Sequence, residues 1–165
     1  MSAVTKISLL LAAITSGLTA GLFWAFGYSV MRALRTVDDK TFVTVMNKIN
    51  VVILNGWFGF CFGGGLVLAV VAVIMVLVSR NAAAPGWAIA SAVLFLVAVI
   101  VTSVINIPLN NALATAATTA DPGTLAAARD RFEAPWNRAN IIRAALHTAA
   151  FVAACIALLT YRARP

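Results

Sequence analysis

The chain has 165 residues, of which 62% are hydrophobic and 10% are charged, and its mean hydropathy is +0.98. A water-soluble domain of this length cannot bury so much apolar surface in one core. These values exclude an ordinary soluble domain and predict that lipid covers the remaining apolar surface. The net charge of +7 does not indicate a nucleic-acid partner, because the basic residues flank apolar stretches, as membrane anchors do.

Four long uncharged stretches divide the chain, and they contain 25, 31, 40 and 18 residues between charged neighbours. A helix needs about 20 residues to cross the hydrocarbon of a bilayer. We therefore expect one membrane domain, residues 1–165, with four spans near 6–31, 51–78, 87–110 and 141–161.

The distribution of the basic residues predicts an orientation in the membrane. Of the twelve Lys and Arg, eight lie on the side of the connections between spans one and two and between spans three and four. The positive-inside rule places those two connections in the cytoplasm and both termini outside, in a bacterial cytoplasmic membrane.

Local signals predict where two of the helices begin. "TVDD" at 36–39 resembles a capping box with Thr36 as N-cap, from which a helix can run unbroken over residues 40–60. Asp121 and Pro122 are typical of an N-cap and a first helical residue. They predict a short amphipathic helix over 122–133, which Pro135 separates from span four or kinks into it. The fold predicted is all-α, an antiparallel four-helix bundle with this short helix as a lid.

Polar residues on span one share one face of the predicted helix. At about 100° per residue, Trp24, Tyr28 and Arg32 fall within an arc of about 80° that also contains Gly17 and Gly21. This arc is typical of a pocket wall. It is equally typical of a glycine packing seam with an interfacial aromatic belt.

Span four carries a polar stripe that reaches into the apolar region. Trp136, Asn140, Arg143 and His147 are spaced by 4, 3 and 4 residues. A charge at depth costs about 2.5–3.5 kcal/mol on insertion scales, so it persists where it is paired or functional. The alternatives are that Arg143 is a snorkelling anchor and that His147 is a hydrogen-bonded histidine of the core.

Span three ends in "VINIPLNNA", where Asn106 and Asn110 share a face on either side of Pro108. These amides can line a pocket, or they can repair the carbonyl that the proline leaves free near residue 104. Span two contributes further asparagines at the same membrane level, Asn47, Asn50 and Asn55.

In an antiparallel bundle all of these groups meet at one end. The predicted pocket has His147 at its floor and the 111–135 connection over its mouth. Its predicted wall is Tyr28, Arg32, Asn50, Asn55, Asn106, Asn110, Trp136, Asn137, Asn140 and Arg143.

Three segments together, "INVVILN", "NIPLNNALA" and "WNRANIIRA", are similar to segments of the anthrone-oxygenase-like membrane protein family. The resemblance covers nearly the whole chain. It implies oxidation of an anthrone to an anthraquinone by dioxygen without a recognised cofactor. It also implies that Asn50, Asn106, Asn110, Trp136, Asn137 and Arg143 belong to the family site.

The residue types at this end fit such chemistry. Arg143 and the amides can hold an oxyanion, and Trp24, Tyr28 and Trp136 can stack on a flat phenolic or polycyclic substrate. His147, the only histidine, is the candidate general base, with Glu133 as the other candidate. No metal site is predicted, because one histidine and no carboxylate fall within the spans. Haem bound by His147 alone remains an alternative cofactor.

Two other function classes remain open. The same pocket suits a non-catalytic membrane subunit or a protein that binds a lipid or small molecule, as a homo-oligomer or with a partner membrane subunit. A small transporter is less favoured, because the four spans show no inverted repeat. Cys61 and Cys155 fall within spans and form no C-x-x-C motif, so a thiol-disulfide enzyme is not indicated.

Overall fold

The computed structural model describes residues 2–79, 83–119 and 121–162, and every element in these ranges is helical. The α-helices are α1 (Ser2–Ala25), α2 (Met31–Leu34), α3 (Asp39–Val52), α4 (Gly56–Phe58), α5 (Gly65–Val78), α6 (Pro85–Val101), α7 (Ile107–Ala116) and α8 (Pro122–Thr160). Three π-helical segments join successive helices: π1 (Phe26–Val30) follows α1, π2 (Gly59–Gly64) follows α4, and π3 (Thr102–Asn106) follows α6.

Four helical stretches are long and apolar enough to cross a membrane, namely Ala3–Leu34, Gly56–Val78, Pro85–Ala116 and Pro122–Thr160. The protein is therefore an integral membrane protein. The predicted spans 6–31 and 87–110 lie within the first and third stretches. The second stretch begins five residues later than predicted, and the fourth begins 19 residues earlier than predicted. Arg80 and Arg164, which enter the orientation argument, lie outside the described residues, and the orientation stays a prediction.

Contacting helices pair their residues in opposite chain order, as antiparallel neighbours do. Between the α1–π1 stretch and α8 the pairs are Gly17–Phe151, Phe23–His147 and Phe26–Trp136. Between the α6–α7 stretch and α8 they are Ser91–Ala150, Thr102–Arg143 and Asn106–Trp136. Helix α5 packs against both α1 and α6, which completes a four-helix bundle.

Small residues let the helices approach closely at the end of the bundle away from α3. A Cβ added at Gly65 would lie 2.7 Å from Cζ of Phe95 and 3.2 Å from Cβ of Thr15. Ala69 and Ala72 are buried on the same helix. In lipid, where apolar burial drives helix association weakly, such packing is a main source of stability.

The second span begins later than predicted, and the unbroken helix over 40–60 is wrong. Helix α3 ends at Val52, and Asn55 starts α4 by accepting hydrogen bonds from the backbone N–H groups of Trp57 and Phe58 at 3.0 and 3.1 Å. A short amide side chain competes for backbone donors in this way and favours a helix start. At the other end of α3 the N-cap is Asp38, not Thr36.

Helix α8 begins as predicted, because Asp121 caps it and Pro122 is its first residue. The separate lid helix is wrong, since α8 continues through Pro135 to Thr160 and residues 122–133 are its first turns. Helix α7 extends to Ala116, so the connection before α8 is only a few residues long.

Arg129 holds this extension of α8 against the connection between α2 and α3. Its guanidinium donates to the carbonyl oxygens of Val37 at 2.8 Å and Arg35 at 3.2 Å, and to carboxylate oxygens of Asp39 and Glu133 at 3.0 Å each. Carbonyl groups at the end of a helix lack hydrogen-bond donors within the helix, and Arg129 supplies these donors. These bonds keep α3 beside α8 at one end of the bundle.

Candidate functional site

A cavity of about 520 Å³ lies at that end, where α3, π2, π3 and α8 meet. Its polar lining residues are Asn47, Asn50, Thr102, Asn106, Asn110, Asn111, Asn140 and Arg143. Its aromatic lining residues are Phe23, Phe26, Phe58, Phe62 and Trp136, and aliphatic side chains complete the wall. A mostly apolar cavity with a few convergent polar groups is typical of a small-molecule site.

The three π-helical segments each place side chains in this wall. Phe26 comes from π1, Phe62 from π2, and Thr102 and Asn106 from π3. A π-helical turn inserts an extra residue, so it rotates the residues that follow it, and such turns are frequent at functional sites. A constant 100° per residue therefore misplaces side chains at this level of the bundle.

Arg143 is the charged residue of the cavity, and its environment is neutral. The residue is 4% exposed, and its guanidinium lies 4.1 Å from the ring centroid of Phe23 and 5.5 Å from that of Trp136. It donates to Oδ1 of Asn140 at 3.0 Å and to Oγ1 of Thr102 at 3.3 Å. A snorkelling anchor would place its guanidinium in water, so this geometry argues against that alternative.

No carboxylate balances this charge. The chain has five acidic residues, all of them described: Asp38 and Asp121 are N-caps, Asp39 and Glu133 pair with arginines, and Asp130 is exposed. None of them lines the cavity. A buried cation without a counter-charge is costly, so an anionic ligand at this position would be stabilised.

Asn106 and Asn110 connect π3 and α7 to α8. The Asn106 amide donates to the carbonyl oxygen of Trp136 at 3.3 Å, and Oδ1 of Asn110 accepts from the indole Nε1–H of Trp136 at 2.8 Å. These bonds reach across to α8, so they do not support repair of the backbone before Pro108.

Several buried polar atoms of the lining residues have no hydrogen-bond partner among the described residues. They are the donors Nδ2 of Asn50 and Nε of Arg143, and the acceptors Oδ1 of Asn47 and Oδ1 of Asn106. Unpaired buried polar atoms are rare in proteins and each one calls for a reason. Here the residues that carry them line the cavity, although the atoms themselves are buried.

His147 lies one turn beyond Arg143 and does not line the cavity, which corrects its predicted place at the floor. Its fully buried imidazole is surrounded by Phe95, Phe23 and Phe62, with centroid distances of 4.4, 5.4 and 5.9 Å. Neither ring nitrogen has a hydrogen-bond partner within the described residues, so the alternative of a hydrogen-bonded core histidine is not supported. Haem ligation would require these rings to move.

Five further predicted site residues lie outside the cavity lining. Trp24 donates to Oγ1 of a threonine at the surface of the bundle, Tyr28 is 61% exposed, and Arg32 is also exposed. Asn55 caps α4, and Asn137 keeps a buried amide oxygen that has no hydrogen-bond partner in the described part of the chain. An interfacial belt and a pocket wall produce the same aromatic and basic pattern, and on span one the exposure of Trp24 and Tyr28 favours the belt.

Of the aromatic wall only Trp136 was predicted, because a phenylalanine in an apolar span carries no periodic signal. Phe23 is one residue from Trp24, and so it faces about 100° away from the predicted arc. Small hydroxyl residues mark the buried face of α1 instead, as Thr15 and Thr19 are both buried. The spacing of these threonines was the sequence signal that could have identified the inward face of α1, since hydroxyl side chains in membrane helices favour helix interfaces.

Comparisons with known proteins add a family to this geometry. No curated protein and no solved structure matches the chain. The family model described as anthrone oxygenase matches residues 57–153, more than half of the chain, and this segment contains π2, π3 and Arg143. The chain therefore belongs to the anthrone oxygenase family.

Proposed function

We propose that this protein is a membrane-embedded oxidoreductase that acts on a small hydrophobic phenolic or polycyclic substrate with dioxygen and without a cofactor. The observation that carries the proposal is the buried guanidinium of Arg143, which faces an aromatic cavity and has no acidic partner. Membership of the anthrone oxygenase family supports the same reaction class.

The cavity suits a flat aromatic substrate. Its volume of about 520 Å³ is within the common range of small-molecule sites, and its wall carries five aromatic side chains. Aromatic rings pack well against one another in offset or edge-to-face arrangements. Arg143 lines the cavity together with these rings, so a polycycle with one oxygen substituent can place that oxygen at Arg143.

Arg143 would stabilise the substrate as its oxyanion. When an anthrone loses a proton from its methylene carbon, the negative charge moves to the carbonyl oxygen. A preorganised donor at such an oxygen contributes about 2.7–4 kcal/mol in other enzymes. Asn140 and Thr102 hold the guanidinium in place before the charge forms.

The proposed reaction balances without a further redox partner. The carbanion gives electrons to dioxygen, a carbon–oxygen bond forms, and the resulting hydroperoxide loses water to yield the second carbonyl of the quinone. One oxygen atom stays in the product and the other leaves as water. His147 is the proposed general base, and Phe23 or Phe62 must turn aside for its imidazole to reach the substrate.

The test is oxygen uptake by the purified protein in lipid nanodiscs with anthrone as substrate. We expect one dioxygen consumed for each quinone formed. Arg143→Ala should lower kcat/KM about 100-fold or more. Arg138→Ala, an exposed arginine of the same helix, is the matched control and should retain activity. Equal turnover by the Arg143 variant and the wild type would contradict the proposal. His147→Ala separately tests the assignment of the base.

A second candidate function is a non-catalytic one. No carboxylate or imidazole lines the cavity, so a ligand there has no adjacent proton acceptor. This favours a protein that binds an anionic amphipath or lipid, alone or as a subunit of a larger complex. Retention of anthrone without oxygen uptake would support the binding role, and a membrane protein that copurifies in detergent would support the subunit.

The proposed orientation places the cavity in the cytoplasmic leaflet. The connections between spans one and two and between spans three and four are then cytoplasmic. In a background without the two native cysteines, Thr118→Cys should react with an impermeant maleimide only in inside-out vesicles. Labelling in right-side-out vesicles would reverse the orientation.

A further inference from the structure

One wall of the cavity is also an outer surface of the protein. Val51 and Leu54 line the cavity, yet they are 73% and 75% exposed. Val51 is in the last turn of α3, and Leu54 lies in the break between α3 and α4. Ile107, at the start of α7, likewise lines the cavity and is exposed. The cavity is therefore open sideways between this break and α7.

The surface around the opening is apolar. Trp57 is 78% exposed, and Val52 and Phe60 are exposed beside it. In the sequence, 31 consecutive uncharged residues follow Lys48. An aqueous opening would expose these side chains to water, whereas an opening into lipid leaves them in contact with acyl chains.

The length of the third helical stretch gives the depth of the opening. Ile107 follows Trp87 by 20 residues, which corresponds to about 30 Å of helix. This is about the thickness of the hydrocarbon core. Trp87 is exposed near the start of α6, a common position for an interfacial tryptophan. Ile107 is then at the opposite edge of the hydrocarbon, just below the headgroups.

Hydrogen bonds of the Asn55 side chain and of the backbone hold the chain break at this depth. Asn55 accepts from two N–H groups of α4, and its Nδ2 donates to the carbonyl oxygen of Val52 at 3.0 Å. Irregular backbone at membrane depth is tolerated where it is buried or lines a cavity. The break is thus a stable part of the fold that leaves the wall of the cavity open.

We propose that the ligand reaches Arg143 from the lipid, through the opening between the Ile53–Asn55 break and α7. The opening lies at the edge of the hydrocarbon, where amphipathic aromatic molecules collect with their polar group toward the headgroups. The phenol or enol class of this ligand rests on the proposed function, whereas the route rests on the position of the opening.

The first experiment measures the depth of the opening and needs no ligand. Trp57 is kept as the only tryptophan by the changes Trp24→Phe, Trp87→Phe and Trp136→Phe. We expect its fluorescence to be quenched by phospholipids brominated on the acyl chain near the headgroup, and to be insensitive to aqueous iodide. Quenching by iodide with no effect of the brominated lipids would overturn the proposal.

The second experiment measures the route with 1-naphthol, a fluorescent phenol, delivered from lipid vesicles to the protein in nanodiscs. Leu54→Trp narrows the opening, so we expect association and release both to slow at least fivefold. Leu77→Trp adds the same side chain at an exposed position on α5 and is the matched control. Unchanged rates in the Leu54 variant would overturn the proposal. If the wild type does not bind 1-naphthol while Trp57 lies at acyl-chain depth, the ligand class fails and the opening into lipid stands.

Discussion

The hydrogen bond between Asn110 and Trp136 gives the most direct test of how the cavity is held. Oδ1 of Asn110 accepts from the indole Nε1–H at 2.8 Å, and the indole packs against Phe132 and Phe26 with centroid distances of 5.7 and 6.0 Å. The same indole lies 5.5 Å from the guanidinium of Arg143. The amide therefore orients a ring that contacts both the core and the proposed oxyanion site.

The change Asn110→Leu keeps a side chain of similar size and removes the acceptor. A buried indole N–H without a partner costs about 1–3 kcal/mol. The change Trp136→Phe removes the donor and also leaves a smaller ring in the core. In the double variant neither group is left unpaired, so the two effects should fall short of additivity. We expect a coupling free energy of about 1–1.5 kcal/mol.

The assay is reversible unfolding of the protein in mixed micelles by added denaturing detergent, followed by circular dichroism, for the wild type and the three variants. Asn111→Leu is the control, because this neighbouring asparagine is exposed and makes no side-chain hydrogen bond within the described residues. We expect the control to remain within about 0.5 kcal/mol of the wild type.

A coupling free energy below about 0.3 kcal/mol would refute the reasoning, since it would mean that the two groups do not interact. If Asn110→Leu failed to insert into the membrane, this would instead support the interpretation in which the amide repairs the helix around Pro108.

Three further predictions concern the packing, the end of the bundle and its response to acid. Gly65→Ala should lose about 1–3 kcal/mol of stability by overpacking, while Gly21→Ala, whose added Cβ would meet no atom within 4 Å, should not; equal melting temperatures would contradict the close contact. Arg129→Gln should lower the free energy of unfolding by about 2–4 kcal/mol in the same assay, because it removes several hydrogen bonds at once. The control Arg131→Gln, at an exposed arginine, should be near neutral, and a similar loss in both variants would refute the role of Arg129. Hydrogen bonds from the side chain and backbone of Thr41 lower the pKa of Asp38. The contribution of Asp38 to stability is therefore present above its unfolded-state pKa and is lost as the pH falls through its folded-state pKa. The difference in melting temperature between the wild type and Asp38→Asn should shrink below about pH 4, and a difference that does not change with pH would contradict this.

Local composition was enough to predict the class of protein and the number of spans. A stretch of about 20 uncharged residues is long enough to cross a bilayer whatever it packs against, so four spans follow from the charges alone. The start of α8 at Asp121 and Pro122 was also predicted, because a cap depends on the bonds of a few adjacent residues. The polar stripe of span four placed Arg143 correctly at a cavity, since a charge inside a span needs a protein environment.

Only the tertiary structure decided which face of each span turns inward. In lipid, an apolar side chain is equally compatible with the core and with the outer surface, so hydrophobicity does not distinguish Phe23, in the cavity wall, from its neighbours. The π-helical segments then rotate the faces at the level of the cavity, and the break at Asn55 separates α3 from the second span. The missing counter-charge at Arg143 likewise emerges only when all five carboxylates have been placed in space, because an ion pair depends on distance between elements and not on spacing along the chain.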